Sequence, residues 1–353
     1  MLFAMVILKL RPMKRIIYTL FVLLLLFLVW LFRPGPGPPE ISVPDSLPVL
    51  AFSIDEADEA IRAAEERAGP LKPDNHARIV WNETYRDRKA PCSVVYIHGF
   101  SSSYGEGAPL HTRTAEALGC HLYVTRLHGH GLVTDEPLKD MHPDSLLADA
   151  GEALAIGNLL GDEVVLIGNS MGGTLALHLA SVFSESVDAL VLLSPLIEFA
   201  TGASVLFDKP WGQRIMRLHL GGSYLNFEPD NEGHDQYWYN TFRIEAMMNL
   251  KTMKRKLLDD ELPGRIRQPV FVGYYYRDEE HQDDVVSAAA IRSLEPKLGT
   301  PPDQKQFMAF PGADAHVISS AYRTDVYAHV TDSVIQFLGR HIQNRDFDES
   351  PTL

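Results

Sequence analysis

Residues 164–173 read Val164-Val165-Leu166-Ile167-Gly168-Asn169-Ser170-Met171-Gly172-Gly173. The four leading apolar residues, β-branched at 164, 165 and 167, predict a short buried strand. Gly168 to Gly172 predicts a sharp turn, and residues 174–180 have helical composition. A serine between two glycines at a strand-to-helix turn is the pattern G-x-S-x-G. The turn forces the serine backbone into a strained conformation. Side chains two before and two after it would crowd each other and the strand. The serine oxygen is then presented at the strand's carboxyl end, above a helix N-terminus that favours developing negative charge. Alone, the pentapeptide also fits a plain glycine-rich turn in any α/β protein. Chemistry requires that the chain supply a base, an orienting carboxylate and an oxyanion hole.

The surrounding sequence predicts strands over residues 77–81, 92–97, 121–127, 189–195, 269–275 and 306–310. Between them lie predicted helices over 55–68, 110–118 and 145–160, with a closing helix within 317–341. Near-continuous apolar strands alternating with helices imply a mostly parallel sheet covered on both faces. Ligands of such sheets bind beyond the strands' carboxyl ends. His98, Gly129 and Ser170 all fall just past such ends.

The oxyanion donors are expected to be two backbone N–H groups. One belongs to Met171, the residue after the nucleophile. The other belongs to Phe100, in the loop His98-Gly99-Phe100 after an earlier strand. The base is expected at His316, between the last strand and the last helix. His329 and His341 fit less well, because they fall within the closing helix. The carboxylate is expected after strand 269–275, where Asp278, Asp283 and Asp284 compete. Asp283 is favoured, since it stands two residues before Val285-Val286, which open the next structured segment. The chain order is then Ser170, Asp283, His316.

These pieces together resemble the α/β-hydrolase superfamily. More narrowly, they resemble the branch holding carboxylesterases, monoacylglycerol lipases and serine aminopeptidase-like hydrolases. The supporting stretches are Tyr96-Ile97-His98-Gly99-Phe100, Arg126-Leu127-His128-Gly129-His130-Gly131, Gly168-Asn169-Ser170-Met171-Gly172, Asp283-Asp284-Val285-Val286 and Asp314-Ala315-His316-Val317-Ile318. The resemblance implies the roles just assigned and a lid between strands six and seven. It departs at Asn169, where His is frequent, and in a longer acid loop. The family order also implies that the strands begun by Cys92 and Cys120 are adjacent and parallel. Two free buried thiols are the favoured state of these cysteines, with a disulfide as the alternative.

Residues 198–268 separate two core strands and carry Phe199, Phe207, Trp211, Tyr224, Phe227, Tyr237, Trp238, Tyr239 and Phe242. An insertion this long reads as a lid or cap. Its aromatic and Met-rich composition favours an apolar acyl group in the substrate.

Residues 16–32 form an unbroken apolar run preceded by Lys14-Arg15, at the short end for a membrane span. No small-x-small site follows, so an uncleaved anchor is favoured over a cleaved signal peptide. Basic residues stay in the cytoplasm, which places the body on the extracytoplasmic side. Met13 is a second candidate start. Residues 34–50 form a Pro- and Gly-rich spacer, and 51–353 form the catalytic domain.

Net charge is −14, and the first 33 residues contribute only basic groups. An acidic body argues against nucleic-acid binding. His98, His111, His121, His128 and His130 invite a metal reading. However, Leu132 and Val133 stand where a metallo-hydrolase motif needs Asp and His. No metal or cofactor is expected. The sequence therefore points to a serine hydrolase of apolar carboxylic esters. Amide hydrolysis is the alternative activity, and a non-catalytic binding module on the same fold is a further alternative.

Overall fold

The computed structural model describes residues 2–33, 39–202, 209, 211–229 and 231–342. The first residues of the expected spacer, 34–38, and Phe207 of the insertion lie outside them.

A seven-stranded sheet forms the centre. Its strands are β1 (Arg78–Val80), β2 (Ala90–Ile97), β3 (His121–Val124), β4 (Gly161–Asn169), β5 (Ala189–Leu193), β8 (Val270–Tyr274) and β9 (Lys305–Ala309), in the order β1-β3-β2-β4-β5-β8-β9. Only the β1–β3 pair is antiparallel. The strand read from 164–167 is thus β4, at the middle of the sheet.

Side chains alternate between the two faces of each strand. Val94, Tyr96, Val165, Ile167, Val191 and Phe271 face one side. There they pack with Leu110 and Leu118 of α3 (Leu110–Leu118) and with Val334, Phe337 and Leu338 of α11 (Tyr327–His341). Val95, Ile97, Val164, Leu166, Leu192 and Val272 face the other side. They pack with α4 (Pro143–Leu160) and α5 (Met171–Val182), and α2 (Ala57–Ala68) joins that layer through Ile61. Both faces of the central strands are covered, so β5, β8 and residues 164–167 of β4 are apolar and buried.

The insertion between β5 and β8 holds α6 (Gly212–Leu220), β6 (Tyr224–Asn226), α7 (Glu232–Tyr237), β7 (Thr241–Arg243), α8 (Ile244–Leu257) and α9 (Leu262–Arg265). It lies between the strands predicted at 189–195 and 269–275, where the sequence places the insertion. Helix α10 (Ala288–Leu294) follows β8, and α1 (Leu2–Phe32) leads the chain. The apolar run is therefore the end of a longer helix.

The closing helix α11 lies within the expected 317–341 and begins at Tyr327. Residues 317–326 use their polar groups to dock on the loop after β2. Ser319 Oγ donates to Glu106 O at 2.7 Å and Ser320 Oγ to Gly105 O at 2.7 Å. The Ala321 N–H donates to Ala108 O at 3.0 Å. These bonds replace a first helical turn.

Cys92 and Cys120 form a disulfide, which corrects the expectation of free thiols. Ser93 pairs with His121 in parallel register. One residue earlier, the two cysteines therefore face each other with Cα atoms 4.7 Å apart, inside the range a bridge requires. The bridge closes a loop with a sequence separation of 28. Replacing both cysteines by serine should lower unfolding free energy by about 3–4 kcal/mol in a denaturant titration, from the loop length. An unchanged midpoint would show that the bridge does not form.

Candidate active site

Ser170 stands between the last residue of β4 and the first of α5, with φ 51° and ψ −114°. A non-glycine residue in this region is strained and persists only where its surroundings hold it. Its N–H donates to Leu193 O at 2.9 Å, and its carbonyl accepts from Gly173 N at 3.0 Å and Leu196 N at 3.0 Å. The flanking glycines are required by close backbone approach. A methyl on Gly172 would lie 2.1 Å from Ile97 O, and one on Gly168 would lie 2.4 Å from Gly172 O.

The three side chains singled out in sequence converge. His316 Nε2 lies 2.9 Å from Ser170 Oγ, and His316 Nδ1 lies 2.7 Å from Asp283 Oδ2. Asp283 is 2 % exposed, and its Oδ1 accepts from Val285 N and Val286 N, each at 2.9 Å. The Val285-Val286 pair that favoured Asp283 in sequence thus supplies the amides that orient its carboxylate. Asp278 is elsewhere. It is exposed, and its Oδ1 binds the backbone N–H of His281 at 2.9 Å and His281 Nδ1 at 2.8 Å. Asp284 is exposed as well.

Burial disfavours the charged imidazolium of His316. The Asp283 carboxylate, followed by Glu106 and Asp284, outweighs this and holds its pKa above the ordinary value. Burial likewise works against ionised Asp283. The His316 ring and the two amides outweigh it and hold the carboxyl below its usual range. Both shifts favour an ion pair whenever His316 takes up a proton.

The 98–100 loop lies against the serine, since a methyl on Gly99 would come 3.1 Å from Ser170 Cβ. Two histidines hold this loop from beneath. The Leu127 N–H donates to His98 Nε2 at 3.0 Å, which leaves the proton on Nδ1, 2.8 Å from Gly99 O. Ser102 Oγ donates to the same carbonyl at 3.0 Å. With Gly99 C=O held by two donors, the Phe100 N–H of the same trans peptide must point the opposite way. His130 repeats the device, accepting from Ser101 N at 3.2 Å and facing His128 O with Nδ1 at 3.0 Å. Burial pushes both histidines down, His98 to about 4, so both rings are neutral. Among the described residues, the Phe100 and Met171 N–H groups donate no hydrogen bond within the chain.

His111 and His121 of the metal reading have ring partners too. His111 Nε2 faces Tyr104 O, while His121 Nδ1 accepts from Asn82 N and its Nε2 faces Arg88 O. Arg126 joins the frame, pairing with buried Glu65 of α2 at 2.7 Å and donating to His130 O at 3.2 Å.

Sequence reasoning missed Glu106. This buried carboxylate accepts from Gly99 N and, at 3.1 Å, from Tyr96 OH. Burial raises its pKa to about 6 against the Gly99 amide and the Ser102 hydroxyl, which favour its charge. The available signal was one acid within Tyr104-Gly105-Glu106-Gly107, an otherwise uncharged loop.

The insertion reaches this loop. Phe242 packs edge-on against Phe100 with ring centroids 4.9 Å apart, and the Tyr239 N–H donates to Ser101 O at 2.8 Å. The insertion thus presents an aromatic side chain to the segment beside Ser170.

Solved structures of similar shape include a metagenome-derived lipolytic enzyme (TM-score 0.62, 18% identity, 77% of this chain and 100% of that one). A monoacylglycerol lipase from Paleococcus ferrophilus gives TM-score 0.55 at 15% identity, covering 75% and 98%. A thermostable carboxyl esterase from Bacillus coagulans gives 0.55 at 15%, covering 76% and 94%. At such identities the likeness concerns the fold. The sequence profile of the alpha/beta hydrolase family matches residues 94–340, from the middle of β2 to the last turn of α11. That stretch is well over half the chain and holds every residue of the site, so the chain belongs to the alpha/beta hydrolase family.

Proposed function

We propose that the chain is a serine hydrolase that cleaves carboxylic esters of apolar acyl groups through an acyl-enzyme. The observation that carries this reading is the hydrogen-bonded relay Ser170–His316–Asp283, beside two unengaged backbone N–H groups. His316 Nε2 takes the Ser170 proton as Oγ attacks the ester carbonyl. The Phe100 and Met171 N–H groups receive the oxyanion, a contribution of about 10²–10³ in rate per donor. The imidazolium, steadied by Asp283, returns its proton to the leaving alcohol. Water activated by the same nitrogen then releases the acid. Phe100 and Phe242 give the acyl chain an apolar surface.

The test compares purified protein on acetyl to dodecanoyl esters and on aminoacyl amides. The ester reading expects kcat/KM to rise with acyl length and to exceed that for amides by about tenfold or more. Amides hydrolysed faster than every ester would replace it with the amide reading.

The same mechanism gives a pH dependence. The base must be neutral, so kcat/KM should rise with pH through the His316 pKa, with a midpoint above 6.5. Glu106 is one of the negative charges that favour the imidazolium. Glu106→Gln should therefore move the midpoint to lower pH. A profile over about pH 5–9 checks the sign, and an unmoved midpoint would show that Glu106 does not act on His316.

We further propose that α1 anchors the chain, with the catalytic body on the extracytoplasmic side. Arg15–Phe32 is long and apolar enough to cross a membrane, and Lys14-Arg15 flank its cytoplasmic end. The Cys92–Cys120 bridge suits an oxidising compartment. Mass analysis of the mature N-terminus distinguishes this from a cleaved signal peptide.

A further inference from the structure

Among the described residues, the body meets α1 at its last turn. Along the apolar segment the large side chains from Ile16 to Trp30 are exposed, from 37% at Leu28 to 70% at Tyr18. Leu31 is only 8% exposed. There Arg214 of α6 donates from Nη1 to Leu31 O at 3.1 Å and also to Arg33 O, and Trp211 meets Phe32 edge-on with centroids 5.3 Å apart. These are carbonyls of a helix end, which lack partners within the helix. A lid helix thus caps the apolar helix.

The geometry sets a level for α6. An 18-residue span rises about 27 Å, close to the roughly 30 Å of a bilayer's hydrocarbon core. If Arg15–Phe32 crosses, its last turn lies at the far interface, and so do Trp211 and Arg214. Both are residue types that suit that depth. Positions 211, 214, 215 and 218 follow helical spacing, so one face of α6 runs from the Phe32 contact to Leu218, which is 52% exposed. Beyond it Leu220 is 38% and Phe227 53% exposed. In a chain of net charge −14, α6 carries Arg214, Arg217 and His219 and no acid. Phe227 then stacks on Phe242 at 5.5 Å, and Phe242 meets Phe100 at 4.9 Å. An aromatic file therefore leads from this exposed surface to the loop beside Ser170.

We infer that the α6–β6 face of the lid, through Trp211, Arg214 and Leu218, lies in the headgroup–acyl boundary of the membrane that α1 crosses, and that the esters reaching Ser170 are dissolved in that leaflet. The inference rests on the anchor and ester-hydrolase readings above. It narrows the substrate class to amphiphilic, bilayer-resident esters. An acidic body is kept off the lipid, while a basic, apolar edge of the lid touches it.

The full chain in phosphatidylcholine vesicles tests this. A polarity-sensitive dye is placed on Leu218→Cys and, separately, on Val182→Cys at the far end of α5; spin-labelled lipid is the quencher. The native cysteines are paired and leave the added thiol as the single target. Quenching is expected at position 218 and not at 182. In parallel, Leu218→Glu/Leu220→Glu should lower hydrolysis of a long-chain ester held in the vesicle by about tenfold. Its rate on a water-soluble short-chain ester should stay within about twofold. Equal quenching at the two positions, or equal effects of the double variant on the two substrates, would overturn the inference. Failure of the unmodified chain to float with vesicles would overturn the anchor reading as well. Flotation without quenching at position 218 overturns the docking alone. Absence of hydrolysis of either ester by the unmodified chain would instead remove the enzyme reading.

Discussion

Ser170→Ala is expected to lower ester hydrolysis by about 10⁴-fold or more while the fold and thermal midpoint remain near those of the unmodified chain. The size follows from what the hydroxyl does. It is the atom that bonds to the acyl carbon, and without it neither His316 nor Asp283 has a partner to activate. Removing one member of such a relay costs about as much as removing all of it. The oxyanion donors would still polarise a bound ester, so a small residue of activity above water is expected. The fold should tolerate the change. The strained Ser170 backbone is held by bonds to Leu193, Gly173 and Leu196 that do not involve the hydroxyl. A purified Ser170→Ala protein that retained most of its activity would mean that the chemistry occurs elsewhere.

Asp283→Asn should be nearly as severe, about 10⁴-fold in kcat, for a different reason. Asp283 is an acceptor at both oxygens, with Oδ1 on two amides and Oδ2 on His316 Nδ1. An asparagine that keeps its oxygen on the Val285 and Val286 amides turns its NH₂ toward His316. Nδ1 must then accept, the ring proton moves to Nε2, and His316 can no longer take the serine proton. Asp278→Asn removes only a surface contact to His281, and its activity should stay within about twofold. The pair of variants is informative together. Loss in Asp278→Asn with retention in Asp283→Asn would reverse the assignment of the acid.

The elbow was legible because its constraint is local. Glycines at 168 and 172 mark where backbone from β2 and α5 crosses within van der Waals distance of the turn. Asp283 was legible for a related reason, since the Val285-Val286 pair that drew attention to it donates the two amides that hold it. The start of α11 was not legible. Residues 319–321 bond to the 105–108 loop, which is remote in the chain, and nothing in their own sequence states that contact. Glu106 escaped for the same reason, because its partners Tyr96 and Gly99 come together only once β2 and its loop fold back over it. The disulfide followed from the β2–β3 register, which the cysteine spacing does not state. The capping of α1 by Arg214 joins residues 183 apart in the chain, and no periodicity within either segment announces it.

The most direct test of the account is covalent. Intact mass analysis after exposure to a fluorophosphonate, with peptide mapping of the product, asks whether Ser170 is an activated nucleophile. The account predicts one phosphonyl group on Ser170 of the unmodified chain and none on Ser170→Ala under the same conditions. An unmodified chain that stays unlabelled, or a Ser170→Ala chain that labels to the same extent, would contradict it.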